Sequence, residues 1–128
     1  MNIGPLVMRA VLMVSPTDSI AVAARGMVAK KVGSAIVMTD EGPGIITERD
    51  ILRAVAAGRN LDEAKVEDYM TAGAITAFED WELRQAAQQM ANGGVRHLIV
   101  LNRSGGLEGI LSIRDLLKAL IRDTAPVG

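Results

Sequence analysis

Two short stretches of this 128-residue chain place a hydroxyl, a guanidinium and a carboxylate at the same offsets: Thr47-Glu48-Arg49-Asp50 and Ser112-Ile113-Arg114-Asp115. Each follows an apolar run that reads as a strand and opens a segment with helical periodicity. Such a junction complements a nucleotide. The unpaired N–H groups and positive end of a helix favour phosphate, arginine adds a charged fork for phosphate oxygens, and a carboxylate can accept two hydrogen bonds from a ribose diol. The same spacing also describes a helix cap with its acid in the first turn. Capping requires no arginine at a fixed offset, and the arginine recurs.

The elements that position these groups form a repeat. Gly44-Ile45-Ile46-Thr47-Glu48-Arg49-Asp50-Ile51-Leu52 returns 65 residues on as Gly109-Ile110-Leu111-Ser112-Ile113-Arg114-Asp115-Leu116-Leu117. Upstream, Val32-Gly33-Ser34-Ala35-Ile36-Val37-Met38 returns 63 residues on as Val95-Arg96-His97-Leu98-Ile99-Val100-Leu101. The two-residue difference falls between Asp40-Glu41-Gly42-Pro43 and Arg103-Ser104-Gly105-Gly106-Leu107-Glu108, where a hairpin turn tolerates a change of length.

In each copy a short strand, about Val11 to Val14 or Ala74 to Ala77, precedes a helix-start signal, Ser15-Pro16-Thr17-Asp18 or Phe78-Glu79-Asp80. Ile20, Ala23, Met27 and Leu83, Ala86, Met90 then mark amphipathic helices ending near Gly33 and Gly93-Gly94, with the methionines as core fillers. Strands over Ala35 to Thr39 and Leu98 to Asn102 turn back into second strands, and last helices begin near Glu48 and Ile113. The order βαββα, read twice, predicts an α/β (α+β) fold of two interdependent halves, because units of about 60 residues are marginal alone. The expected boundaries are 1–58 for the first repeat, 59–65 for a polar linker across the surface, 66–123 for the second repeat and 124–128 for a frayed tail. Val66 to Met70 reads as a short helical turn entering the second copy.

Composition removes several function classes. Fourteen basic against fifteen acidic residues give no general attraction to nucleic acid or to an anionic membrane. The absence of cysteine removes disulfides and thiolate chemistry, and a single histidine, His97, leaves no histidine cluster for a metal. No apolar run reaches bilayer-spanning length and the start lacks a signal-peptide pattern, so the expectation is a soluble, cytoplasmic protein.

With both motifs in view, Gly-Ile-Ile-Thr-Glu-Arg-Asp and Gly-Ile-Leu-Ser-Ile-Arg-Asp resemble the signature of cystathionine-β-synthase (CBS) domains: Gly, two apolar residues, Ser or Thr, two variable residues and Asp. The resemblance covers about residues 7 to 122. It implies two CBS domains packed as a pseudo-twofold pair, a Bateman module, that binds AMP, ADP, ATP or a related adenosyl ligand; a homodimer is the expected assembly. By position it implies ribose-binding roles for Asp50 and Asp115, hydroxyls near ribose or phosphate at Thr47 and Ser112, and main chain flanking adenine beside Leu12, Ile75, Val32-Gly33 and Val95-Arg96. Arg49 and Arg114 occupy a variable position of the signature, so their phosphate role is read from chemistry. Arg96-His97 resembles, in reversed order, a phosphate-contacting pair of the γ subunit of the energy-sensing kinase, although a histidine beside a buried strand is as readily structural. The first copy has Gly33-Ser34 there, which predicts unequal sites. Met70-Thr71 resembles the pair that opens many CBS repeats, whereas the first copy has Met8-Arg9.

The expected function is a regulatory adenine-nucleotide sensor that signals to a partner protein, without catalytic residues, catalytic cofactor or metal. The alternatives are a ligand-free dimerisation module and a module binding S-adenosylmethionine. An enzyme ranks last, since Asp50, Asp115 and His97 form no reacting set. Lys30-Lys31 fits a helix C-terminus, and Trp81 is placed in the first turn of a helix, covering the core edge or marking a dimer surface.

Overall fold

The computed structural model describes residues 1–124, and of the expected tail 124–128 the part after Thr124 lies outside the described residues. Among the described residues, besides short 3-10 turns at Gly4–Leu6 and Val66–Asp68, the strands and α-helices follow in the order β1 (Met13–Val14), α1 (Ile20–Lys30), β2 (Ser34–Thr39), β3 (Gly42–Thr47), α2 (Glu48–Ala56), β4 (Thr76–Phe78), α3 (Leu83–Gly93), β5 (His97–Leu101), β6 (Leu107–Ser112) and α4 (Ile113–Thr124). The chain is thus α/β, with the βαββα order present twice. Each copy builds a three-stranded sheet, ordered β1-β2-β3 or β4-β5-β6, whose first pair is parallel and second antiparallel. A parallel pair needs a crossover, and α1 and α3 supply it.

The first compact unit spans Val11–Ala74. Ile20, Ala23 and Met27 of α1 meet Ala35 and Val37 of β2, Ile46 of β3 and Ala54 of α2. The second unit joins Met1–Ala10 to the chain from Ile75 onward. Its core takes Leu83, Ala86 and Met90 from α3, Leu98 and Val100 from β5, Leu111 from β6, and Leu116 and Ala119 from α4. In both, apolar residues at helical spacing face alternate strand residues, as the periodicity predicts.

The compact units differ in composition from the sequence repeats. Residues 59–74 stay with the first: Ala64 and Val66 are buried in its core, with Leu61, Tyr69 and Met70 packed alongside, so the segment expected to cross the surface as a linker is an anchored strap. Ile20 and Ala21 N–H donate to the Ala64 and Leu61 carbonyls. Residues 1–10 belong to the second unit, where Ile3 and Val7 enter the core. Burial of such side chains contributes roughly 1.5–3 kcal/mol each. Thr71 pairs in antiparallel fashion with Ile45, and Met8 does so with Ile110. Each sheet edge is therefore extended by the segment that precedes the other repeat.

Several expected boundaries shift for local reasons. Ser15-Pro16-Thr17-Asp18 closes a turn of its own, with Asp18 N–H on the Ser15 carbonyl and Ser15 N–H on the Asp18 carboxylate. The cap of α1 is instead Ser19, whose hydroxyl accepts from Val22 N–H. Helix α3 likewise starts after Glu82, leaving Trp81 outside the helix, half-buried against the core with its carbonyl held by Ile3 N–H. Helix α1 ends on Lys31 at φ 58°, a left-handed position filled by Gly94 at φ 62° after α3. The length difference between copies lies in the hairpins, between Thr39 and Gly42 in one and between Leu101 and Leu107 in the other.

Candidate functional site

In the first unit the residues singled out by sequence converge on one end of the sheet. Ser34 opens β2 directly opposite Thr47, which ends β3. The first N–H of α2, on Glu48, donates to the Gly33 carbonyl at 2.9 Å, so the loop before β2 is tied to the helix start. Val32 N–H in turn closes on the Met27 carbonyl, and the Leu12 carbonyl accepts from Ile36 N–H, bringing the β1 approach to the same end. Asp50 sits at the third position of α2. Its Oδ2 accepts from Thr47 N–H at 2.9 Å and from the Thr47 hydroxyl at 3.1 Å. The capping geometry is therefore real, and it orients a carboxylate at the strand-to-helix junction.

The second unit repeats this arrangement with different side chains. His97 opens β5 opposite Ser112, the last residue of β6, which makes the two cross-strand neighbours. Ile113 N–H donates to the Arg96 carbonyl at 2.8 Å, matching Glu48 on Gly33. Val95 N–H closes on Met90, and the Ile75 carbonyl accepts from Ile99 N–H. The Ser112 hydroxyl donates to Asp115 Oδ2 at 3.1 Å and accepts from Asp115 N–H at 3.2 Å. Arg49, Arg96 and Arg114 are exposed. Arg49 and Arg114 take no part in these bonds among the described residues.

The contacts of four side chains at the first junction escaped the sequence reading. Arg53 Nη1 donates to Asp50 Oδ1 at 3.0 Å, a contact signalled by i, i+3 spacing. The Arg53 and Arg59 guanidinium groups lie 5.7 and 5.6 Å from the centroid of the Tyr69 ring, so the strap is tied to α2. Glu48 folds back over Gly33, where a Cβ would stand 3.1 Å from its Oε1. No spacing rule announces that contact.

Gly44 and Gly109 open β3 and β6 motifs for a steric reason. A Cβ on Gly44 would lie 2.8 Å from the Thr71 carbonyl oxygen, and one on Gly109 would collide with the Met8 carbonyl oxygen. Among the described residues no group of three or more His, Asp or Glu could hold a metal, and no helix is long and apolar enough to cross a membrane.

The CBS-domain family model matches residues 3–57 and again 66–122. The chain belongs to the CBS-domain family. Each part of the CBS signature now has a physical role: the glycine admits the crossing carbonyl, the two apolar residues are buried sheet positions, and the hydroxyl and aspartate cap the following helix. Among curated CBS relatives, an uncharacterised 17.7 kDa protein of Acidianus ambivalens is 43% identical over 113 residues, covering 87% of this chain and 68% of the relative. An uncharacterised protein of Methanopyrus kandleri is 35% identical over 91% of this chain, which spans only 61% of that relative's length. A solved CBS domain protein of Pyrobaculum aerophilum, complexed with AMP, is 30% identical with a TM-score of 0.80, covering 95% of this chain and 99% of that one.

Proposed function

We propose that this CBS pair is a regulatory sensor of adenine nucleotides, AMP, ADP or ATP, whose ligand state is read by a separate partner protein. The observation that carries the reading is the recurrence, in both units, of an aspartate held by a hydroxyl at the start of a helix whose first N–H is tied to the loop before the sheet. In that reading Asp50 and Asp115 accept the ribose diol, Thr47 and Ser112 stand beside it, and Arg49, Arg114 and the Arg96-His97 pair meet phosphate. Main chain beside Leu12, Val32-Gly33, Ile75 and Val95 flanks the base. The AMP complex of the Pyrobaculum aerophilum relative supports the ligand class. The module acts by binding and not by catalysis, and a ligand shifts it only through unequal affinity for two states.

A second reading, assembly as a homodimer, is favoured by exposed apolar residues on α2 and α4: Leu52, Val55, Leu117 and Ile121. Assembly without ligand and assembly of a sensor separate in a thermal melt. The sensor reading expects AMP or ATP at 100 times its dissociation constant to add about 2.7 kcal/mol of stability. A melting temperature unmoved by AMP, ADP, ATP and S-adenosylmethionine alike, for a protein that is dimeric by light scattering, would leave assembly as the function.

A further inference from the structure

The two candidate sites differ in charge at one spot, and we infer that they select adenosyl ligands of different charge: the Asp50 site takes a ligand without phosphate, and the Asp115 site takes a phosphorylated nucleotide. This deepens the sensor reading and rests on it. Most charged positions of the two junctions match in sign, since Arg49 answers to Arg114, Asp50 to Asp115 and Arg53 to Lys118. Besides Lys30-Lys31, which answer to Gly93-Gly94, and Ser34, which answers to His97, two positions at the helix start break the match. Glu48 at the first position of α2 corresponds to Ile113 at the first position of α4, and Gly33 corresponds to Arg96.

These two positions are adjoining in space. Glu48 N–H is bonded to the Gly33 carbonyl, as Ile113 N–H is to the Arg96 carbonyl. In the first unit the Glu48 carboxyl group stands over Gly33, with its carbon and Oε1 each 3.1 Å from where a Cβ would be. A carboxylate at a helix N-terminus answers the same dipole and N–H groups that would otherwise attract phosphate. The first site thus carries its own anion at the helix start, beside Arg49, and Glu48 offsets the phosphate role that the sensor reading gives Arg49, with no side chain at Gly33 to add a second cation. The second site has the apolar Ile113 at the helix start, Arg96, whose carbonyl is tied to it and whose side chain is exposed, and His97 across from Ser112. Two cations do close α1 in the first unit. Lys30 Nζ is committed to the Val11 carbonyl at 3.3 Å, and Lys31 leaves the chain from the left-handed cap of α1, exposed. The Glu48 carboxylate is the charged group that lies against Gly33, and like charges about 4 Å apart near a protein surface repel enough for roughly a tenfold or larger loss of affinity.

Isothermal titration at low salt with AMP and with adenosine tests the assignment on the full chain. Asp115→Ala leaves the first site to report, and it is expected to bind adenosine about tenfold more tightly than AMP; Asp50→Ala leaves the second site, with the opposite preference. Adding Glu48→Ile to Asp115→Ala is expected to tighten AMP about tenfold while leaving adenosine within about twofold. AMP bound as tightly as adenosine in Asp115→Ala, whether drawn by Lys31 or otherwise, overturns the inference while the sensor reading stands. A wild-type protein that binds neither probe defeats both. Should an aspartate variant not fold, Glu48→Ile alone decides: the weaker of the two AMP affinities is expected to tighten about tenfold, and an unchanged value overturns the inference.

Discussion

Met8 and Gly109 are locked together: Met8 pairs by both its N–H and carbonyl with Ile110, and its carbonyl oxygen lies where any Cβ of Gly109 would be. Gly109 also holds φ 154°, a conformation other residues rarely adopt. Gly109→Ala is therefore expected to destabilise the protein by about 2–3 kcal/mol through combined strain and overpacking. Gly44→Ala, facing the Thr71 oxygen at 2.8 Å without a positive φ, is expected to cost about 1–2 kcal/mol. Urea unfolding measures both, and a loss below about 0.5 kcal/mol for Gly109→Ala would contradict the crossing geometry.

Lys31 and Gly94 occupy equivalent left-handed caps at φ 58° and 62°. Glycine meets that conformation without a Cβ penalty. Lys31→Gly is expected to raise stability by about 0.5–1 kcal/mol and Gly94→Lys to lower it by a similar amount. Matched thermal melts check the pair, and equal signs for the two changes would refute the argument.

The repeat was legible because its parts are local. Gly44 to Asp50 and Gly109 to Asp115 carry burial, turn and cap in consecutive residues, and the hairpins absorbed the length difference as a turn should. Helix starts were less legible, because Asp18 spends its carboxylate on Ser15 N–H and yields the cap to Ser19. The exchange of leading segments was hidden altogether. Ile3 beside Leu83 and Tyr69 beside α2 are tertiary choices with no period to announce them. At the site, hydroxyl and aspartate could be read from spacing, whereas Glu48 over Gly33 required the fold.

Acid stability should depend on the hairpin of the second unit. Arg103 donates two hydrogen bonds to Asp80, at 2.9 and 2.8 Å, and holds its carboxyl below the ordinary value of 3.8. In the first unit, Lys65 N–H and then Arg59 do the same for Asp68. A depressed carboxylate contributes stability that is present above its unfolded pKa and lost as pH falls through the lower folded value. Stability is thus expected to fall below about pH 4, and less steeply in Asp80→Asn. A pH series of urea midpoints checks this, and identical acid slopes for both proteins would contradict it.

If the chain assembles as the second reading proposes, Leu52 and Leu117, exposed on α2 and α4 at equivalent repeat positions, are the residues expected in that contact. The Leu52→Glu, Leu117→Glu protein should be monomeric in light scattering at concentrations where the wild type is dimeric, with its far-ultraviolet circular dichroism unchanged. A wild type that is already monomeric, or a variant that stays dimeric, removes these residues from any interface.

In the proposed function, Asp50 and Asp115 make this CBS pair an adenosyl-ligand receptor. Isothermal titration with AMP, ADP and ATP against the wild type and the Asp50→Ala, Asp115→Ala double variant tests it most directly. Saturable heat is expected for at least one nucleotide with the wild type and none with the folded double variant. Absence of heat from the wild type at millimolar nucleotide, or an unchanged isotherm in the double variant, would contradict it.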